Sequence, residues 1–162
     1  MDTEQLPLSD ELLDVMRRAA AQAFQSGTEF VGPAHLLLAL LEAPSLRDVL
    51  AAHVRRGDVL AETRRKKLPG VVGLRETGLA EGEMPPFPRY DTLAFQTTDG
   101  SRLAWLDSEA FSIFLEGARR VEIGAYKPKH LALGYVAESI TDPDLQALVQ
   151  DVRALTAAVF AL

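Results

Sequence analysis

Apolar residues recur at helical spacing near the start of the chain. Leu12, Leu13, Val15, Met16, Ala19, Ala20 and Ala23 fall along one stripe. Ser9 stands before them as an N-cap, with Asp10 and Glu11 at the positive end of the helix dipole. Gly27 supplies a left-handed stop, so the pattern predicts a helix over Ser9–Ser26. Gly32 and Pro33 open a second helix, proline at its first turn costing no hydrogen bond. Leu36, Leu37, Leu38, Leu40 and Leu41 cover almost all of its faces, the mark of a buried helix. Pro44 and Ser45 restart the chain, with Asp48 three residues on, for a helix carrying Leu46, Val49, Leu50 and Val54. Gly57 and Asp58 punctuate once more, and a last helix from Asp58 ends in Arg64, Arg65, Lys66 and Lys67, where cations meet the negative helix end.

From Leu68 the period is lost. Gly70, Gly73, Gly78, Gly82, Pro85, Pro86 and Pro88 interrupt any helix, and residues 69–106 read as a linker. Its second part contains Thr92–Thr98 and Ser101–Leu106 around Asp99-Gly100, the strongest short signal for a β-hairpin. Leu93, Phe95, Leu103 and Trp105 alternate with other residues and are expected on one face. The helical period resumes at Asp107 with Ala110, Ile113, Phe114, Gly117, Ala118 and Val121, and Gly124 stands near its stop. Pro128 and His130 then open a helix with Leu131, Leu133, Tyr135 and Val136, as Pro33 and His35 opened the leucine helix. Thr141, Asp142 and Pro143 start another, containing Leu145, Leu148, Val149 and Val152. The order of the first half thus recurs, which predicts an all-α protein of two pseudo-repeats of about four helices each. Residues 1–68 form the first repeat, 69–106 the linker with its hairpin, and 107–162 the second repeat, together one compact domain.

Charge and composition narrow the function. Against 17 basic residues stand 23 acidic ones, a net charge of -6, which argues against nucleic acid and anionic lipid as partners. Without cysteine there is neither a disulfide nor thiolate chemistry. The start, Met1 to Gln5, has no signal-peptide character, and no apolar run reaches membrane-span length; a cytoplasmic protein away from membranes is expected.

The run Gly27-Thr28-Glu29-Phe30-Val31-Gly32-Pro33-Ala34-His35-Leu36-Leu37-Leu38-Ala39-Leu40-Leu41 resembles the repeat of the amino-terminal domain of Clp ATPases, the unfoldase subunits of bacterial proteases and disaggregases. Gly124-Ala125-Tyr126-Lys127-Pro128-Lys129-His130-Leu131 is similar, more loosely, to a second copy. The resemblance covers roughly 100 residues in the order of two copies. It implies a doubled four-helix unit that binds substrates or adaptors, or attaches to a Clp ATPase or Clp protease. Two departures limit what carries over. The sequence has no Gly-x-x-x-x-Gly-Lys-Ser/Thr segment to cradle nucleotide phosphates, so it is not an AAA+ motor by itself. Where many relatives place a glutamate before the repeat histidine, used by some to hold phosphorylated arginine, this chain has Ala34 and Lys129, which cannot pair with a guanidinium.

The remaining chemistry-bearing residues are weighed against structural roles. His35 and His130 lack carboxylates at zinc-ligand spacing and fit as first-turn caps; His53 is isolated. Arg55, Arg56 and Arg64–Lys67 read as solvated helix ends, and the pairs Glu81/Glu83 and Asp142/Asp144 as turn or cap residues. No catalytic, metal or cofactor site is expected. The aromatic set Phe87, Tyr90, Phe95 and Trp105 is the candidate protein-binding surface, the alternative being burial of these rings on the helices. The expected function is a non-catalytic protein-binding module of Clp quality control; a self-associating structural protein and a small enzyme of unrecognised type stay open.

Overall fold

A computed structural model describes residues 7–64 and 93–162. The chain is mostly helical, with eight helices and a three-stranded sheet among the described residues. Helix α1 spans Asp10–Gln25, and the Ser9 hydroxyl accepts the Leu12 N–H at 3.1 Å, as a capping serine does. Leu12, Val15, Met16, Ala19, Ala20 and Ala23 of its apolar stripe are buried, and Leu13 at its margin is half-buried. At the other end Thr28 N–H donates to the Ala23 carbonyl and Gly27 N–H to that of Phe24, both at 3.0 Å, with Gly27 at φ 88°. This paired closure needs a left-handed residue, and glycine adopts it without steric cost.

Strand β1, Phe30–Val31, follows, then α2, Pro33–Leu40, every residue of which is buried. Helices α3, Arg47–Ala51, and α4, Arg56–Arg64, complete this half. Two local expectations are corrected here. Ser45 does not cap α3; its N–H donates to the Glu11 carboxylate at 2.9 Å, and Leu46 holds the cap position without a side-chain bond. Gly57 lies inside α4 rather than before it. Of the basic run, Arg64 ends α4, and Arg65–Lys67 lie outside the described residues.

Strands β2, Ala94–Gln96, and β3, Leu103–Leu106, form the hairpin. The expected hairpin is present, and the all-α expectation is corrected to a mostly helical fold with a small sheet: β3 also pairs in parallel with β1, giving the sheet order β1–β3–β2. Trp105 N–H donates to the Glu29 carbonyl and Asp107 N–H to that of Val31, each at 2.9 Å, so the hairpin is tied into the first half. The two-residue β1 leaves no periodic signal in sequence; tertiary pairing defines it.

Helix α5, Ser108–Arg119, starts at Asp107, whose carboxylate accepts the Ala110 N–H at 2.8 Å. It stops before the predicted end near Gly124. Helix α6, Pro128–Ser139, crosses it at close range. A Cβ added at Gly134 would sit 2.4 Å from the Ile113 carbonyl oxygen and 2.5 Å from the Gly117 nitrogen, so the two backbones touch where side chains are missing. The single helix expected from Asp142 onward is two, α7, Pro143–Gln146, and α8, Val152–Phe160, the second capped by Asp151. The halves are stitched at several points. Tyr126 N–H donates to the Pro7 carbonyl at 2.8 Å, Ser9 N–H to that of Tyr126 at 2.9 Å, and Gln150 N–H to that of His53 at 3.0 Å.

Candidate protein-binding site

The hairpin register decides which aromatics can meet a partner. Ala94 faces Trp105, Phe95 faces Ala104 and Gln96 faces Leu103 across the antiparallel pair. Residues directly opposite share a face. Leu93, Phe95, Ala104 and Leu106 therefore lie on one side, and Ala94, Gln96, Leu103 and Trp105 on the other. The expected single face of Leu93, Phe95, Leu103 and Trp105 is corrected: it mixes the two.

The inner face rests on the core. Ala104 and Leu106 are wholly buried, and Leu93 and Phe95 pack against the core cluster. The Phe95 ring lies 5.9 Å from that of Phe114, which lies 4.9 Å from Tyr126, which meets the His130 ring edge-on at 6.1 Å. This row carries the hairpin across α5 to the start of α6. The Tyr126 hydroxyl donates to the Phe114 carbonyl at 2.7 Å, and burial raises its pKa well above the usual phenol value.

On the outer face Trp105 is half-buried beside β1, opposite the buried Phe30, and Leu103 is 50% exposed. Just before β3, on the side of Ala104 and Leu106, the Arg102 guanidinium lies 5.0 Å above the Phe24 ring of α1. Of the four candidate aromatics, the structure thus sends Phe95 inward and Trp105 outward, and Phe87 and Tyr90 lie outside the described residues. The turn is held by Asp99. Its carboxylate accepts from the Thr97 hydroxyl at 2.6 Å, the Ser101 N–H at 2.9 Å and the Ser101 hydroxyl at 2.7 Å. These bonds favour the charged form and pull its pKa down to about 2, the Thr97 hydroxyl contributing most.

The histidines serve the backbone. His35 Nδ1 accepts the Gly32 N–H at 2.9 Å, which leaves the proton of the neutral ring on Nε2 to meet the Ser26 hydroxyl at 2.8 Å. Ser26 in turn donates to the Ala23 carbonyl at 2.9 Å, so one chain of bonds links the start of α2 to the end of α1. His130 Nδ1 takes the Lys127 N–H at 2.9 Å in the same way. Burial, then the charges of Lys129 and Lys127, lower its pKa. Asp142 caps α7 by accepting the Asp144 N–H at 2.9 Å; Glu81 and Glu83 lie outside the described residues. Among the described residues no three His, Asp or Glu side chains gather as a metal site, and no helix is long and apolar enough to cross a membrane. Sequence reasoning missed Phe30 as a strand residue and the outward row of Ala94 and Gln96. The second was readable, because a turn centred on Asp99-Gly100 fixes partners whose numbers sum to 199.

Residues 1–53 match the Clp repeat (R) N-terminal domain family. The chain is also 35% identical over 116 residues to the chaperone protein ClpB of Streptomyces albus G. That alignment takes in 69% of this chain and 13% of the relative, so the chain spans about an eighth of that chaperone's length.

Proposed function

We propose, from the Clp repeat N-terminal domain match of residues 1–53, that this chain is a non-catalytic protein-binding module of the Clp quality-control system. It is built as two pseudo-repeats, 1–68 and 107–162, in one compact domain, and works in the cytoplasm without cofactor, metal, nucleic acid or membrane. It binds a substrate or adaptor polypeptide, or a Clp ATPase or protease whose delivery it modulates. The observation that carries this is the match of residues 1–53 to the Clp repeat N-terminal domain, together with the 116-residue similarity to 13% of a chaperone relative. The site chemistry supports it: among the described residues His35, His130, the aspartates at helix starts and the Tyr126 hydroxyl are occupied in holding the backbone, and the Ser26 hydroxyl beside His35 donates its proton to the Ala23 carbonyl. Of the candidate aromatics we assign Phe95 to the scaffold and Trp105, with Leu103 beside it, to partner contact.

The test is a pull-down with the tagged full chain followed by mass spectrometry. Clp ATPase or protease subunits recovered in stoichiometric amount are expected. Self-association alone, with no Clp component, would replace this reading with that of a structural protein. Turnover of ATP by the purified chain would overturn its non-catalytic part.

A further inference from the structure

Among the described residues no strand pairs with the far edge of β2, and the chemistry of that edge names its occupant. Thr97 N–H donates to the Arg102 carbonyl at 2.9 Å, and Leu106 N–H to that of Leu93 at 3.0 Å. In an antiparallel ladder bonded and non-bonded pairs alternate, so Leu93, Phe95 and Thr97 turn their backbone groups to β3. Ala94 and Gln96 turn theirs away from it. With the order β1–β3–β2, no described strand lies on that side. The edge thus offers two N–H donors and two carbonyl acceptors at strand spacing.

We infer that β2 is a strand-addition site: an extended, uncharged stretch of a client polypeptide pairs with Ala94 and Gln96 and lays alternate side chains over the outer face. Only another backbone in extended conformation matches two donors and two acceptors alternating along a line. Natural edges are often guarded by lysine, proline or an inward-pointing charge, and Ala94-Phe95-Gln96 has none of these. The added strand would run alongside β2, its outer-face side chains next to Ala94 and Gln96 and one strand removed from Leu103 and Trp105, while Phe95 keeps β2 fixed to Phe114. Two copies of this chain are a poorer pair, because each carries a net charge of -6. The inference rests on the protein-binding reading and supplies its contact.

A fluorescein-labelled peptide of alternating threonine and valine, with one lysine at each end, is the probe. A second peptide of equal charge, with proline in place of valine, cannot donate to the edge. Fluorescence anisotropy with the full chain should show saturable binding of the first peptide and none of the second. Gln96→Pro removes one edge donor from an exposed position that makes no ladder bond to β3, and should weaken binding at least about tenfold. Gln96→Thr, which keeps the N–H, should bind as the original chain does. Circular dichroism checks that both variants fold. Independently of any variant, hydrogen exchange at the Ala94 and Gln96 amides should slow when the peptide saturates. Equal affinity of Gln96→Pro with unchanged amide exchange would overturn the edge as the site. So would dimerisation lost in Gln96→Pro without any peptide, which would make the occupant a second copy. Capture of Clp subunits is read separately. A chain that captures them and ignores the peptide keeps its Clp role and loses the edge; one that binds the peptide and captures no Clp subunit does the reverse.

Discussion

The two faces of the hairpin share one backbone and one register, yet they live in different surroundings. Leu106 and Ala104 on the inner face are wholly buried, and Phe95 is locked against Phe114 and, through it, Tyr126. On the outer face Leu103 is half in solvent and Trp105 half-buried. An isolated two-stranded hairpin is marginal in water, so a sequence that inserts one must attach a face somewhere. Here the attachment uses the inner face and the parallel pairing with β1, and among the described residues no strand pairs with the far edge of β2. Burial thus differs between alternate residues of the same short strands.

Substitutions on the two faces should separate accordingly. Leu106→Ala opens a cavity in a packed region and should cost about 2–5 kcal/mol in denaturant unfolding, as should Leu37→Ala in the fully buried α2. If Leu106→Ala left the midpoint unchanged, the inner face would not be an anchor. Gly134→Ala attacks the support beneath the hairpin. Its methyl group meets the Ile113 carbonyl and the Gly117 backbone, which cannot give way as a side-chain tip can. Despite alanine's better helix propensity, a loss of about 1–3 kcal/mol is expected. A gain in thermal midpoint would show that α5 and α6 cross less closely than described. Leu103→Ala, on the outer face, should stay within about 0.5 kcal/mol of the unsubstituted chain. A larger loss would erase the distinction between the faces.

The smallest effect belongs to the turn. The pKa of Asp99 is depressed in the folded chain, so its contribution is fully present above the ordinary carboxylate value. It is lost as pH falls from there through about 2, because the unfolded chain takes up the proton first. Asp99→Asn should flatten that acid slope without altering stability near neutrality by more than a small amount. The slope is read by urea titration at a series of pH values between those limits.

Much of the architecture was legible because it is written in local chemistry. Ser9, Gly27, Pro33 and Pro128 mark helix ends, and each acts as its residue type demands. Asp99-Gly100 fixed the pairing register correctly, since Ala94–Trp105, Phe95–Ala104 and Gln96–Leu103 are the partners it requires. The faces are not legible from alternation within each strand alone, because pairing imposes a parity between strands that puts Phe95 with Ala104 and Leu103 with Gln96. What depends on distant partners could not be read locally. β1 exists through β3, Ser45 answers to Glu11 thirty-four positions earlier, and the break between α7 and α8 answers to a new cap at Asp151. The candidate site was legible only as a list of aromatics. Burial sorted Phe95 from Trp105, and Phe87 and Tyr90 remain known by sequence alone.

Trp105 is the only tryptophan, and it stands on the face assigned to partners. Its emission therefore reports that assignment without any label. In the free chain it should fall between the extremes of a buried and a solvated indole and be partly quenched by acrylamide. Titration with a captured Clp subunit, followed to saturation by an independent binding signal, should shift the emission to shorter wavelength and protect it from acrylamide. Saturated binding with the emission and quenching of Trp105 unchanged would contradict the account, and would place the contact elsewhere on the molecule.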